Sequence, residues 1–288
     1  MIGATKMERI IAVSTMVYDD HPIDTALRQL AALGCRWTEL AAVTGVAEHI
    51  QQKDMTADYA KYVRGQMEKF GLSSVALSGH VDLSEAGIVP LFKSRMEFAK
   101  NIGAKIINTN SGPKKKLPTF YENIFEIAEV AEDLDITVAL ETHGDIIDSG
   151  ESIVRIIEHI GSSHVKINYD FANVLYFSKG SVRPEQDILT VMDHVVHLHI
   201  KDFVWGSDGR WRFTVLGQGL IHYERVFNSL RAQKWVGPVT LETPPRLMRE
   251  VTAGTKNQRP PKIAEMDHWV KESLGYIERY WEVETDQN

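Results

Sequence analysis

The sequence predicts an α/β protein closed into a single (β/α)8 TIM barrel. Short apolar strand segments alternate with amphipathic helical stretches along almost the whole chain, and the alternation repeats eight times. The length of 288 residues suits one barrel, which typically needs ~250. Strand–helix alternation implies parallel strands joined by right-handed crossovers, and eight repeats favour closure over an open sheet. The structural alternative, an open doubly wound sheet, lacks the G-x-G-x-x-G fingerprint after its first strand.

Strands are expected at 10–17, 36–42, 74–80, 105–110, 137–141, 166–170, 195–201 and 239–242. Between the fourth and fifth, Phe120, Ile124, Ile127, Val130 and Leu134 recur at helical spacing with acidic residues between them. Gly103 and Gly161 stand where helices should stop. On the last four strands one face is polar: Thr137, Ala139 and Glu141; Lys166, Asn168 and Asp170; His197, His199 and Lys201; Thr240 and Glu242. The apolar alternates can pack under the helices, so the polar set must point into the barrel. Burying that face is costly unless its groups are paired or bind something. No linker or low-complexity tract interrupts the series, so residues 1–288 read as one domain. It carries a hairpin or lid insertion near 203–219 and a C-terminal helix near 263–282.

Composition narrows the function. A hydrophobic content of 43% with 25% charged residues is that of an ordinary globular protein. A net charge of −7 argues against nucleic acid as the partner, because phosphate binding needs a basic footprint. Cys35 is the only cysteine, which excludes an intrachain disulfide. No apolar run reaches the ~18 residues of a membrane span, and residues 1–9 show no signal peptide, so a cytoplasmic enzyme is expected.

Barrel enzymes build their sites at the C-terminal ends of strands. The residues there on strands five to eight are Glu141, Asp170, His199 and Glu242. Adjacent strands lie ~4.8 Å apart, so four inward side chains can converge on one ion. Three carboxylates and an imidazole suit Mn²⁺, with Mg²⁺ or Co²⁺ next, rather than structural zinc. His197 lies one pleat deeper and reads as a satisfied core histidine.

The segments ALETHGD (139–145), INYDFANVLYF (167–177), HLHIKD (197–202) and VTLETP (239–244), with VLGQGLIHYERVF (215–227), resemble the xylose isomerase-like sugar isomerase/epimerase superfamily. The resemblance implies one divalent metal held by Glu141, Asp170, His199 and Glu242. It also implies a carbohydrate or polyol ketone as substrate, with proton transfer through an enediolate. Glu141 and Glu242, three strands apart, are the expected acid–base pair approaching from opposite faces. His80, Asn110, His143 and Lys201 share the inward parity, and Asn173 lies just beyond Asp170, where the resemblance implies a residue that touches substrate; all five are expected to bind substrate. Asp202 is expected to orient Lys201 or to hold a metal-bound water. Glu39 reads as a structural partner for a buried cation.

Asp208-Gly209, flanked by Trp205 and Trp211, signals a hairpin over the mouth. Gly217 and Gly219 are weak evidence of a phosphate loop, and Arg246, Arg249, Lys256 and Arg259 offer basic charge nearby. Two other readings compete: a dehydratase or lyase acting on a keto-cyclitol or oxidised sugar, and a non-catalytic binding barrel. On the last helix Val270, Leu274, Ile277 and Trp281 make one apolar face, while Trp269, Tyr276 and Tyr280 make a second. The second face is expected to meet another subunit in a homo-oligomer, the alternative being that it covers a loop of the same chain.

Overall fold

The computed structural model describes residues 9–144, 146–206, 211–244 and 261–281. Along the chain, β1 (Ile11–Ser14), α1 (Ile23–Ala32), β2 (Trp37–Val43), β3 (Ala47–Glu48), α2 (Ala57–Lys69), β4 (Ser73–Asp82), α3 (Val89–Asn101), β5 (Ile106–Asn110) and α4 (Leu117–Leu134) form the first half. The second half holds β6 (Thr137–Glu141), α5 (Gly150–Ile160), β7 (Val165–Asp170), α6 (Phe171–Phe177), α7 (Pro184–Asp187) and β8 (Val195–Ile200). The ribbon strands β9 (Asp202–Trp205) and β10 (Trp211–Thr214), then α8 (Tyr223–Ala232), β11 (Val239–Leu241) and α9 (Ile263–Trp281), complete it. Eight parallel strands run in the order β1-β11-β8-β7-β6-β5-β4-β2, and β2 pairs back onto β1 to close the barrel.

The two-residue alternation of the strands explains both layers. Outward residues such as Val138, Leu140, Ile167 and Leu198 are fully buried under the helices, in a core shared with Ile124, Ile127, Ile153 and Phe227. Inward residues start apolar: Ala12, Ala76, Ile106 and Ala139 form a separate small cluster. Two or four residues further along the same strands, the inward positions turn polar. Helix ends follow local chemistry. α5 stops at Gly161 with φ 67°, and α4 stops at Asp135 in the same left-handed region, φ 52°.

Several boundaries depart from the sequence expectation. β1 ends at Ser14, whose Oγ accepts the Met16 N–H at 3.3 Å, and Thr15–Tyr18 turns into a short 3₁₀ helix. β3, a two-residue strand antiparallel to β2, was not expected. β8 ends at Ile200, so Lys201 sits in the break before β9, and Glu242 lies just past β11. The hairpin pairs Trp205 with Trp211 and Phe203 with Phe213, while its expected Asp208-Gly209 turn lies outside the described residues. So do Asp145 and the basic residues of 245–260.

The Gly217-x-Gly219 segment is no phosphate loop: it wraps the buried Asp202 carboxylate. Asp202 accepts the N–H groups of Gly217 (3.1 Å), Gly219 (2.9 Å), Ile221 (3.3 Å) and its neighbour Phe203 (3.0 Å). A Cβ on Gly219 would overlap that carboxylate, so glycine is what permits the approach. Asp202 therefore anchors the loop before α8 rather than orienting Lys201. The second stripe of α9 also finds cover in its own chain: Tyr276 packs on Gly217 and lies 6.4 Å from the Phe227 ring. None of the described helices is long and apolar enough to cross a membrane.

Because three loop N–H groups converge on one buried carboxylate, Asp202→Ala leaves them without an acceptor. The expected result is a loss of about 2–4 kcal/mol in unfolding free energy, read by denaturant titration. A loss below about 0.5 kcal/mol would show that the loop is held by other contacts.

Candidate metal centre and active site

The floor of the barrel is a hydrogen-bonded polar layer drawn from five strands. His197, from β8, is fully buried, with Nε2 at 2.7 Å from Thr240 Oγ1 and Nδ1 at 3.0 Å from Asn108 Nδ2. Burial, reinforced by neighbouring His199, pushes its pKa well below the usual histidine range, so it is a neutral core residue. Glu39, on β2, accepts from Asn108 Nδ2 at 2.7 Å and from His199 Nε2 at 2.9 Å. Its buried cation partner is therefore His199.

That contact decides which way His199 faces. With Nε2–H given to Glu39, Nδ1 accepts from Asn168 Nδ2 at 3.0 Å and faces three carboxylates: 3.6 Å to Glu242 Oε2, and 3.9 Å each to Asp170 Oδ2 and Glu141 Oε1. One ligand atom from each of Glu141, Asp170, His199 and Glu242 lies within 4.8 Å of the others, and all four residues are buried. Opposite ligands around an ion with ~2.0–2.6 Å bonds stand at about such separations. A carboxylate holding the remote nitrogen of a histidine is the arrangement that fixes a metal-binding tautomer. The donor set thus fits a hard divalent cation. Glu39, His197 and His199 form a second group of similar size, but Thr240 and Asn108 already occupy the His197 nitrogens.

Lys201 closes the layer. Its Nζ lies 2.6 Å from both Asp170 Oδ2 and Glu242 Oε2. Burial opposes its charge, yet Asp170 and Glu242 hold the ammonium above its ordinary range. For Asp170, burial is the largest influence and Lys201 only partly offsets it, leaving the carboxyl pushed up to about 6. Burial also acts on Glu141 and Glu242, but His80 and His199 pull Glu141 well down, and Lys201 and His199 lower Glu242. His199 itself is raised against burial by Glu39 and Glu242. Asp170 divides its oxygens: Oδ1 caps α6 by accepting the Asn173 N–H at 2.9 Å, and Oδ2 faces the cluster.

The residues expected to touch substrate are placed as follows. His80 Nε2 meets Glu141 Oε2, and its Nδ1 is 2.9 Å from Ser78 Oγ. Asn173 Nδ2 donates to the other Glu141 oxygen at 2.8 Å. Asn110 presents a buried Oδ1 without a partner, and His143 packs its ring 4.7 Å from Phe177. All four, with Lys201, line one cavity of about 450 Å³ above the cluster.

The profile of a family described as xylose isomerase-like TIM barrel matches residues 27–277. The chain belongs to the xylose isomerase-like TIM barrel family. Within that family it is 18% identical over 206 residues to an L-ribulose-5-phosphate 3-epimerase, UlaE, of Escherichia coli (strain ATCC 8739). That match covers 68% of this chain and 66% of the relative, just under two thirds of its length. Among solved structures, the D-psicose 3-epimerase from Clostridium cellulolyticum H10 superposes with a TM-score of 0.72 at 15% identity, covering 94% of this chain and 99% of that one. The probable 3-DHS dehydratase AsbF from Bacillus anthracis gives 0.71 at 15% identity, covering 93% and 98%. These likenesses establish the xylose isomerase-like fold.

Sequence reading did not single out Asn108 or the link from Glu39 to His199. Inward parity on β5 marks Asn108, but no local signal pairs residues 160 positions apart. It also passed over Tyr176, Phe203 and Phe213, which line the same cavity.

Metal ligands must shed their protons, and burial holds one on Asp170 up to about pH 6. Acid therefore competes with a cation: Mn²⁺ affinity, measured by calorimetric titration, should fall as pH drops from 7 through 6 to 5. A flat profile would place the binding elsewhere.

Proposed function

We propose that this chain is a divalent-metal-dependent sugar isomerase or epimerase, with Glu141, Asp170, His199 Nδ1 and Glu242 as the ligands and Mn²⁺ as the preferred ion. The observation that carries this reading is the convergence of those four ligand atoms within 4.8 Å at the floor of a cavity. Relatives named as sugar 3-epimerases support it. The chemistry supplied by a divalent ion is Lewis-acid polarisation of a carbonyl, which lowers the cost of negative charge as the neighbouring C–H proton leaves.

The protein supplies orientation and proton transfer. Glu141 and Glu242 stand three strand steps apart around the barrel, so they address opposite faces of a substrate lying across its axis. One carboxylate removes the proton and the other returns it, which inverts the carbon. His80 and Asn173 fix both oxygens of Glu141, and Lys201 fixes one of Glu242. Fixed carboxylates need little reorganisation as charge moves. Asn110 Oδ1, lacking a partner among the described residues, is available to a substrate hydroxyl.

Turnover of ketoses in deuterium oxide with Mn²⁺ tests the reaction class. The account expects an isomeric product carrying solvent deuterium at the inverted or newly formed carbinol carbon. A product lighter by one water would instead assign a dehydratase. Glu242→Gln should hold Mn²⁺ within about tenfold of the parent affinity while turnover falls at least about a hundredfold. Near-normal turnover of the metal-loaded variant would remove Glu242 from proton transfer.

A further inference from the structure

The cavity above the metal ligands has two chemically distinct parts. Its floor is polar: Asn110, Glu141, Asn173, Lys201 and Glu242. One wall is aromatic, and the ribbon β9–β10 builds most of it. Antiparallel pairing sets Phe203 opposite Phe213 and Trp205 opposite Trp211, so the period-two alternation puts all four rings on one face of the ribbon. Tyr176 of α6 packs against that face, 5.0 Å from Trp211, 6.2 Å from Phe203 and 6.2 Å from Trp205, with the last pair stacked. Trp211 continues to Phe213 at 4.9 Å, and Phe213 lies 5.8 Å from Lys201 Nζ. Within the cavity Phe203 and Phe213 are buried and Tyr176 and Trp211 half-buried, and the ring series ends outside the lining at Trp205, which is 50% exposed. Across the cavity stand Met16, Val43 and Val46, and Val46 is 52% exposed.

Apolar surface rimmed by polar groups and left open to water marks a binding face, because covering it removes that surface from water. Away from the aromatic wall, Thr44, Asp82 and His143 line other parts of the cavity. The wall itself offers only the Tyr176 hydroxyl and the Trp211 indole N–H for hydrogen bonding, so a hydroxyl or phosphate placed against its ring faces would lose water without replacement. A planar apolar group gains there instead, by stacking.

We infer that the substrate joins its reacting keto-hydroxyl end, seated on the polar floor, to an aromatic substituent that lies against the Tyr176–Trp211–Phe213 wall. The chemical class is a sugar or cyclitol derivative carrying an aryl group, rather than a free or phosphorylated sugar. The inference rests on the metal-dependent sugar reading of the same floor.

The test is equilibrium binding to the Mn²⁺-loaded protein of phenyl glucoside, glucose and a glucose phosphate, followed by calorimetry and tryptophan fluorescence. Phenyl glucoside should bind at least about tenfold more tightly than glucose, and the phosphate more weakly than either. Trp211→Ala should abolish the preference for the phenyl compound while leaving Mn²⁺ affinity within about twofold, and Trp211→Phe should restore most of it. Equal binding of the three sugars, preference for the phosphate, failure to bind the phenyl compound, or a preference that survives Trp211→Ala overturns the inference. The Mn²⁺ titration is read separately: a protein that takes up no Mn²⁺ loses the metal reading, whereas Mn²⁺ uptake without aryl preference overturns only the wall assignment.

Discussion

The burial of four carboxylates in one layer of the barrel is the constraint on which the rest of the site depends. Glu39, Glu141, Asp170 and Glu242 are each at most 4% exposed. Like charges this close, removed from water, strongly disfavour joint ionisation. Lys201 supplies one permanent positive charge, and His199 supplies a second only while it holds an extra proton. With His199 neutral, as a metal ligand must be, four negative charges face only Lys201, and a divalent cation would offset two of the three left over. The carboxylates Glu39 and Glu242 raise the His199 pKa against burial, whereas the Asp170 pKa is raised chiefly by burial itself.

Several features of the fold serve this arrangement. The strand register sets Asp170 beside His199 and Glu141 beside Asn168, so the strand ends come to one level. Ending β8 at Ile200 frees Lys201 to bend its ammonium between Asp170 and Glu242. Asp170 uses one oxygen to start α6, which ties the position of a ligand to a helix N-terminus. That same helix carries Asn173 to Glu141 and Tyr176 to the aromatic wall. The Asp202 loop fixes the chain beyond the ribbon, so one short segment after β8 contributes charge, wall and anchor together.

The barrel was legible because period-two strands and period-3.6 helices repeat without interruption, and inward parity selected Glu141, Asp170, His199 and Glu242. What parity cannot give is pairing. That Lys201 bridges two carboxylates, that Glu39 takes His199 Nε2, and that Asp202 turns toward Gly217 and Gly219 all depend on contacts distant in sequence. The glycine pair was ambiguous for a physical reason: backbone N–H groups converging on an anion look alike whether the anion is phosphate or a side-chain carboxylate. The second stripe of α9 was read as a subunit contact, yet apolar side chains on a helix do not reveal whether a loop or a subunit covers them. Tyr276 on Gly217 is the contact this chain makes.

Anomalous diffraction from crystals grown with Mn²⁺ tests the central claim most directly. The account predicts one strong peak bonded to Glu141, Asp170, Glu242 and the Nδ1 atom of His199, with Nε2 still donating to Glu39 and Lys201 Nζ still held by Glu242. A peak bonded instead to Glu39 and His197, or no ordered ion among the four ligands, would contradict it.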